Sequence, residues 1–266
     1  RGKVLNVRNA TSAKISGNKE IRNIVQALGA TYGVTYTKSN INTLRYGRLM
    51  ILCDQDVDGF HIIGLLLNAL DVLFPSLLKI PGFVTWMHTP IMKITKGPST
   101  KRFYDHALAK KYLKGKTGMK IKYYKGLGTS TSAEAREYFK KIQDLTVKFD
   151  VDTMTDDSIV LAFDKKKADA RKTWLLDNTA KDADQLEVPY GSVKQLTISD
   201  FVHKDLVNFS LADLKRSIAH MADGLKPSQR KVMYSCFKKN LKEEMKVAQL
   251  AAYVAEKSAY HHGEVS

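Results

Sequence analysis

The sequence predicts an α/β domain with a largely parallel sheet over roughly the first 145 residues, followed by an α-helical segment. Short runs of β-branched and aromatic residues alternate with helix-length segments up to about Leu145, and from Ile198 onward every segment reads as helix. Hydrophobic residues fill 44% of the 266 positions and charged residues 26%, enough apolar material for one large or two ordinary domains.

Residues 44–53 ("LRYGRLMILC") end in a short apolar run that reads as a buried strand. A mainly apolar helix is expected from His61 to Leu78, bent or ended by Pro75. "FVTWMHTPIMKIT" reads as one or two strands and "MKIKYYKG" as another. "TSAEAREYFKKI" is a helix with a capping box, Thr131 at the N-cap and Glu134 three residues on. The text then turns acidic ("FDVDTMTDDS"), passes through a charged helix ("AFDKKKADARKTWLL"), and reaches a linker-like stretch, "TAKDADQLEVPYGS". Pro227 after Lys226 suits the first position of a later helix. Short helices rich in Lys and Arg are a common format for helix-turn-helix modules on DNA.

The charge balance narrows the partner. Lys and Arg number 43 against 27 Asp and Glu, a net +16, which favours a polyanion, nucleic acid before membrane. The most apolar stretch, "IIGLLLNALDVLF", is broken by Asn68 and Asp71 and is too short to span a bilayer. Cys53 and Cys236 alone offer no disulfide framework and no zinc site, and suit a reducing compartment. The chain starts at Arg1 without a signal peptide and stops at Ser266 in mid-pattern, so a fragment of something larger is expected.

Against that basic background, "MILCDQDVDGFH" places Asp54, Asp56 and Asp58 within five positions. An EF-hand loop would require a bidentate Glu at the twelfth position, where Leu65 stands, so that assignment fails. At the carboxyl end of a strand, beside a helix N-terminus, three carboxylates suit Mg²⁺, which takes one or two of them and keeps waters that phosphate displaces. Helix capping would need only one or two of the three. With no Lys nearby in the sequence, three like charges would cost energy unless a cation relieved them. "YYKGLGTSTSAE" is neither a Walker A loop nor G-x-G-x-x-G, and by itself reads as a glycine turn before a capped helix. "DGLKPSQRKVMYSCFKKN" is a basic helix suited to phosphate contact, and "KKYLKGKTGMK" reads as ordinary basic surface.

Together, "RGKVLNVRNA", "DQDVDGFH", "IKYYKGLGTSTSAEAREYF", "AFDKKKADARKTW", "DGLKPSQRKVMYSCFKKN" and "KVAQLAAYVAEKSAYHHGE" resemble the type IIA DNA topoisomerases of the eukaryotic and viral kind, from Arg1 to Ser266 and in family order. The resemblance implies a Toprim domain lacking its first strand at 1–148, a connecting segment at 149–197, and the start of a winged-helix domain at 198–266. It implies Mg²⁺ on Asp54, Asp56 and Asp58, with Mn²⁺ or Ca²⁺ as substitutes. Contact with double-stranded DNA is implied for Lys3, Asn6, Arg171, Lys172, Lys226, Tyr260 and Ser266.

The activity implied is ATP-dependent passage of one duplex through a transient phosphotyrosyl break in another, by a homodimer, with ATP bound outside this segment. The nucleophilic tyrosine and a Toprim glutamate are expected outside these residues, so the segment alone is expected to be inactive. Phe60 and Val57 stand where the family usually has Ser and Gln, which implies a divergent member acting in a nucleus or, if viral, a cytoplasmic factory. The alternatives are a Toprim-type nuclease and an architectural DNA-binding protein that does not cleave. No membrane partner is expected.

Overall fold

The structure is a computed structural model that describes residues 2–124, 126–179 and 193–260. The chain divides into two units, Arg1–Phe209 and Ser210–Ser266.

In the first unit, helices α1 (Ser12–Gly17) and α2 (Lys19–Leu28) precede strand β1 (Leu49–Ile51). Helix α3 (Val57–Leu73) then runs through the core, with Ile63, Leu65, Leu67 and Leu70 buried. It starts four residues before the expected His61 because Asp56 caps it, its Oδ1 accepting from the N–H of Gly59 at 2.7 Å. Pro75 does end it, since proline cannot donate to a continuing helix, and the short α4 (Pro75–Leu78) follows.

"FVTWMHTPIMKIT" forms two strands, β2 (Val84–Met87) and β3 (Met92–Lys96). Next come β4 (Ser99–Phe103), α5 (His106–Leu113), β5 (Lys120–Tyr123), α6 (Ser132–Lys140), α7 (Ile142–Leu145), β6 (Thr146–Asp150), α8 (Thr155–Phe163) and α9 (Ala168–Thr179). Strand β7 (Gln195–Thr197) and helix α10 (Ile198–Phe201) lead through a π-helical turn, Val202–Leu206, into α11 (Val207–Ser217). The linker-like stretch lies, from residue 180 to 192, outside the described residues.

The strands form two sheets. The first has the order β1-β2-β6-β7, with β1–β2 and β6–β7 parallel but β2–β6 antiparallel. The second, β4-β3-β5, is antiparallel throughout. The expected largely parallel sheet is therefore corrected to a mixed one. Strand–helix alternation identifies element types, but the direction in which a strand enters the sheet depends on the connection. Helical crossovers join the two parallel pairs, whereas the antiparallel excursion between β2 and β6 lets the chain return the other way.

Aromatic rings stack within the core of this unit. Trp86 stacks parallel to Phe149 at 6.3 Å between ring centres, and Phe201 meets Phe149 edge-on at 5.5 Å. Phe201, Val202 and Leu206 are buried here, so residues 198–206 pack with the first unit. Gly64 lets α8 and the π-helical turn approach α3, because a Cβ there would lie 2.9 Å from Phe163 and 3.1 Å from Leu206.

The residues that interrupt the apolar run of α3 tie down the N-terminal segment. Arg8 Nε donates to Asn68 at 2.8 Å, Asn68 donates to Asn6 at 3.0 Å, and Arg8 also pairs with Asp71. A fully buried Asn68 is thereby satisfied at both ends of its amide.

The second unit contains α12 (Pro227–Lys239), with Pro227 at its first position, and α13 (Val247–Ser258). Among its described residues there is no strand, so the part of this unit that is seen is helical.

Candidate metal and nucleic-acid site

Strand β1 delivers the chain to Asp54, Asp56 and Asp58, and the three aspartates have different surroundings. Asp54 is exposed, and its Oδ1 accepts from the N–H of Leu127 at 2.7 Å. Asp56 caps α3. Asp58, in the first turn of α3, pairs with the Lys3 ammonium at 2.8 Å. Lys3 also lies over the ring of Phe209 at 4.6 Å, and His61 stacks on that ring at 3.8 Å. No lysine neighbours these carboxylates in the sequence; Lys3 arrives through the fold, held by the Asn6–Asn68–Arg8 bonds.

Gly59 sets the close approach of helix and strand end. A Cβ there would stand 1.9 Å from the carbonyl oxygen of Asp54, so no side chain fits. The thiol of Cys53 is pushed up to about 12, first by burial and then by the negative charge of Asp54 and Asp56.

Among the described residues, no group of three or more His, Cys, Asp or Glu side chains is arranged to hold a metal ion. The donor set fits Mg²⁺ in a smaller form. Asp54 and Asp56 each have one carboxylate oxygen aimed by a backbone N–H, and Mg²⁺ commonly takes two carboxylates and keeps its waters. Asp58 is engaged through Oδ1 with the Lys3 ammonium.

The glycine turn does more than precede a helix. Gly126 passes so close to Asp54 that a Cβ would meet the carboxylate at 2.7 Å, and the next residue supplies the N–H bond. Glu134 anchors this turn from both ends. Beyond the capping box with Thr131, it accepts from Lys122 at 2.7 Å, Lys93 at 3.3 Å and the Tyr124 hydroxyl at 2.6 Å. Burial opposes its ionisation, but hydrogen bonds from Lys122, Thr131, Tyr124 and Lys93 outweigh that and hold the carboxyl well below the usual range. Burial, then the bond to Glu134, pushes Tyr124 above the ordinary tyrosine value. Sequence reasoning finds the cap and misses the two lysines, because nothing local pairs β3 with α6.

The residues expected at DNA fall into several places. Asn6 donates to the carbonyl of Phe163 at 2.9 Å, and Arg171 donates to the carbonyls of Leu161 and Asp164 at 2.8 Å each. The two therefore meet at the end of α8, where Asn9 also accepts from Lys165 N–H at 2.8 Å. Lys172 is exposed and pairs with Asp169 at 2.9 Å. In the second unit, Lys226 is exposed at the start of α12, its N–H bonded to Gln229 at 2.8 Å, and the ring of Tyr260 lies 5.6 Å from the Lys231 ammonium. Ser266 lies outside the described residues.

The family model for the C-terminal associated domain of TOPRIM matches residues 87–214, and a DNA gyrase/topoisomerase IV family model matches 216–266. The chain is 47% identical over 270 residues to a probable DNA topoisomerase 2 of Dictyostelium discoideum, covering 100% of this chain and 17% of that protein. It is 48% identical over 279 residues to DNA topoisomerase 2 of Candida albicans (100% and 18%), and 47% identical over 277 residues to human DNA topoisomerase 2-beta (99% and 17%). The chain thus spans less than a fifth of the length of these curated relatives. The crystal structure of the Plasmodium falciparum topoisomerase II DNA-binding, cleavage and re-ligation domain matches with a TM-score of 0.81 at 44% identity, over 98% of this chain and 35% of that one.

Proposed function

This chain belongs to the family of the eukaryotic DNA topoisomerase 2 proteins, and from that premise we propose that it supplies the metal-holding and part of the duplex-binding surface of an ATP-dependent type II DNA topoisomerase. The observation that carries this is the pair of carboxylates, Asp54 and Asp56, each oriented by a backbone N–H at the end of β1.

Mg²⁺ bound there would stabilise charge on the scissile phosphate and its leaving oxygen. The protein's own part is positioning. Leu127 and Gly59 fix the two aspartates, and Gly126 keeps the space beside Asp54 clear of side chain. Lys3 holds Asp58 and carries a cation beside the loop, where a phosphate would gain from it. Lys172 and Lys226 are exposed cations suited to phosphate contact. Asn6 and Arg171 act on DNA mainly through the backbone they brace at the end of α8.

On this reading the nucleophilic tyrosine, a further acidic ligand and the ATP site lie elsewhere in the protein. A homodimer then provides one centre for each strand. The 266-residue chain alone is expected to bind duplex DNA without cutting it, and plasmid cleavage by the isolated chain would overturn that division of labour.

The test is a plasmid assay on the full-length protein with Mg²⁺ and ATP, beside its Asp56→Asn variant. Asn caps helices as well as Asp does, so this change removes charge and spares the fold. Change of linking number in even steps by the wild type, lost in the variant, is the expected result. If neither protein alters topology while both bind DNA, an architectural role replaces the enzymatic one.

A further inference from the structure

Residues 92–124 hold ten Lys and Arg against a single acidic residue, Asp105, so more than half of the net +16 sits in about an eighth of the chain. Asp105 is buried as the cap of α5, accepting from Leu108 N–H at 2.6 Å, and presents no charge to solvent. The segment forms one small body, β3–β4–α5–β5, over its own core of Ile91, Met92, Ile94 and Ala109.

Strand register sorts the cations between its two faces. Lys93 lies opposite Arg102 and Lys122, and these three face α6, where Glu134 takes Lys93 and Lys122 and Glu137 takes Arg102. Lys101 lies opposite Ile94, on the α5 side. There Lys101, Lys110, Lys111, Lys114 and Lys116 are exposed and form no ion pair among the described residues. The ammonium groups of Lys101 and Lys116 rest on the ring of Tyr112 at 4.8 and 3.5 Å. Cation–π contact restrains these side chains, so less rotamer entropy is lost when an anion binds them.

Self-repulsion among unpaired cations on a rigid body is relieved by a partner with regularly spaced negative charge, and the phosphates of a duplex provide it. We infer that the α5 side of this body is a second duplex-DNA contact surface, separate from the residues proposed above. This rests on the DNA substrate assigned to the family, not on the metal site or on cleavage.

The experiment measures binding of the full-length protein to duplex DNA across a salt series without Mg²⁺. The variant Lys101→Gln, Lys110→Gln, Lys111→Gln, Lys116→Gln is compared with a control of equal charge change on the same unit: Lys14→Gln, Lys19→Gln, Lys38→Gln, Lys79→Gln. With roughly 0.9 of log–log salt slope per phosphate contact, the first variant should lose about 2–4 units of slope and at least about tenfold in affinity at physiological salt. The control should lose less than about one unit. An unchanged slope in the first variant overturns the inference, and so does equal loss in both, which would mean net charge alone. An acidic protein segment as the true partner would show as the unchanged slope. Thermal unfolding of both variants confirms that they fold. Wild-type protein that binds DNA but fails to cleave it with Mg²⁺ would count against the enzymatic proposal and leave this surface still readable.

Discussion

The N–H of Leu127 donates to Oδ1 of Asp54 at 2.7 Å, so an aspartate at the end of β1 takes its orientation from a turn 73 residues further along the chain. Gly126, next to it, has extended backbone that any residue could adopt; glycine is required by space, since a Cβ would meet the carboxylate at 2.7 Å. Gly126→Ala should therefore displace Asp54. In the full-length protein, the Mg²⁺ concentration for half-maximal cleavage should rise about tenfold or more, because small misplacements at a reacting centre are costly. DNA affinity in EDTA should stay the same. An unshifted Mg²⁺ dependence would mean that the turn does not position the ligand.

Asp56 combines a cap with a charge, and two substitutions separate them. Asp56→Asn keeps an acceptor for Gly59 N–H and should change stability by less than about 0.5 kcal/mol, whereas Asp56→Ala should cost about 1 kcal/mol. Both should abolish cleavage by the parent protein. Urea unfolding together with the plasmid assay distinguishes the effects; equal stability of the two variants would remove the capping account.

Glu134 ties β3, β5 and α6 through one buried carboxylate. Glu134→Gln leaves Lys93 and Lys122 without their counter-charge and should cost about 1–3 kcal/mol, less than the roughly 3–5 kcal/mol of a fully buried pair broken from one side because both ammonium groups keep some solvent. Its folded carboxyl lies below the ordinary glutamate value. The stability it contributes is thus fully present above about pH 4.3 and is lost as pH falls below it. Unfolding midpoints of the wild type should drop on that acid limb, and those of Glu134→Gln should drop less. Parallel acid limbs would contradict the ion-pair account.

His88 gives a separate acid response. Burial lowers its pKa to about 3, while the unfolded imidazole titrates near 6.5. Between these values the unfolded chain binds more protons, so stability should fall as pH drops from 6.5, by up to about 1.4 kcal/mol per pH unit from this group. His88→Gln should flatten the slope between about pH 6.5 and 5, a window above that of Glu134. A wild-type slope that survives the substitution would assign the response elsewhere.

Much of this architecture is legible without coordinates. Thr131 and Glu134 announce a capped helix, Pro75 and Pro227 mark a helix end and a helix start, and three aspartates after an apolar run point to a loop at a strand terminus. Such signals are local, because capping, proline geometry and apolar periodicity act over a few residues. Helix α3 begins four residues before the expected position because Asp56 serves as its cap, a role that its reading as a metal ligand hides.

Element types, the basic charge balance and the identity of the carboxylates follow from the order of residues alone. Strand direction, the pairing of Lys3 with Asp58, the two lysines on Glu134 and the closeness of Gly126 to Asp54 are decided only in the folded chain. These contacts join residues 12 to 72 positions apart. Nothing in local propensity selects such partners. They meet because burial of the apolar core and pairing of the sheets bring distant segments together, and only then do charge and space choose among the side chains that arrive.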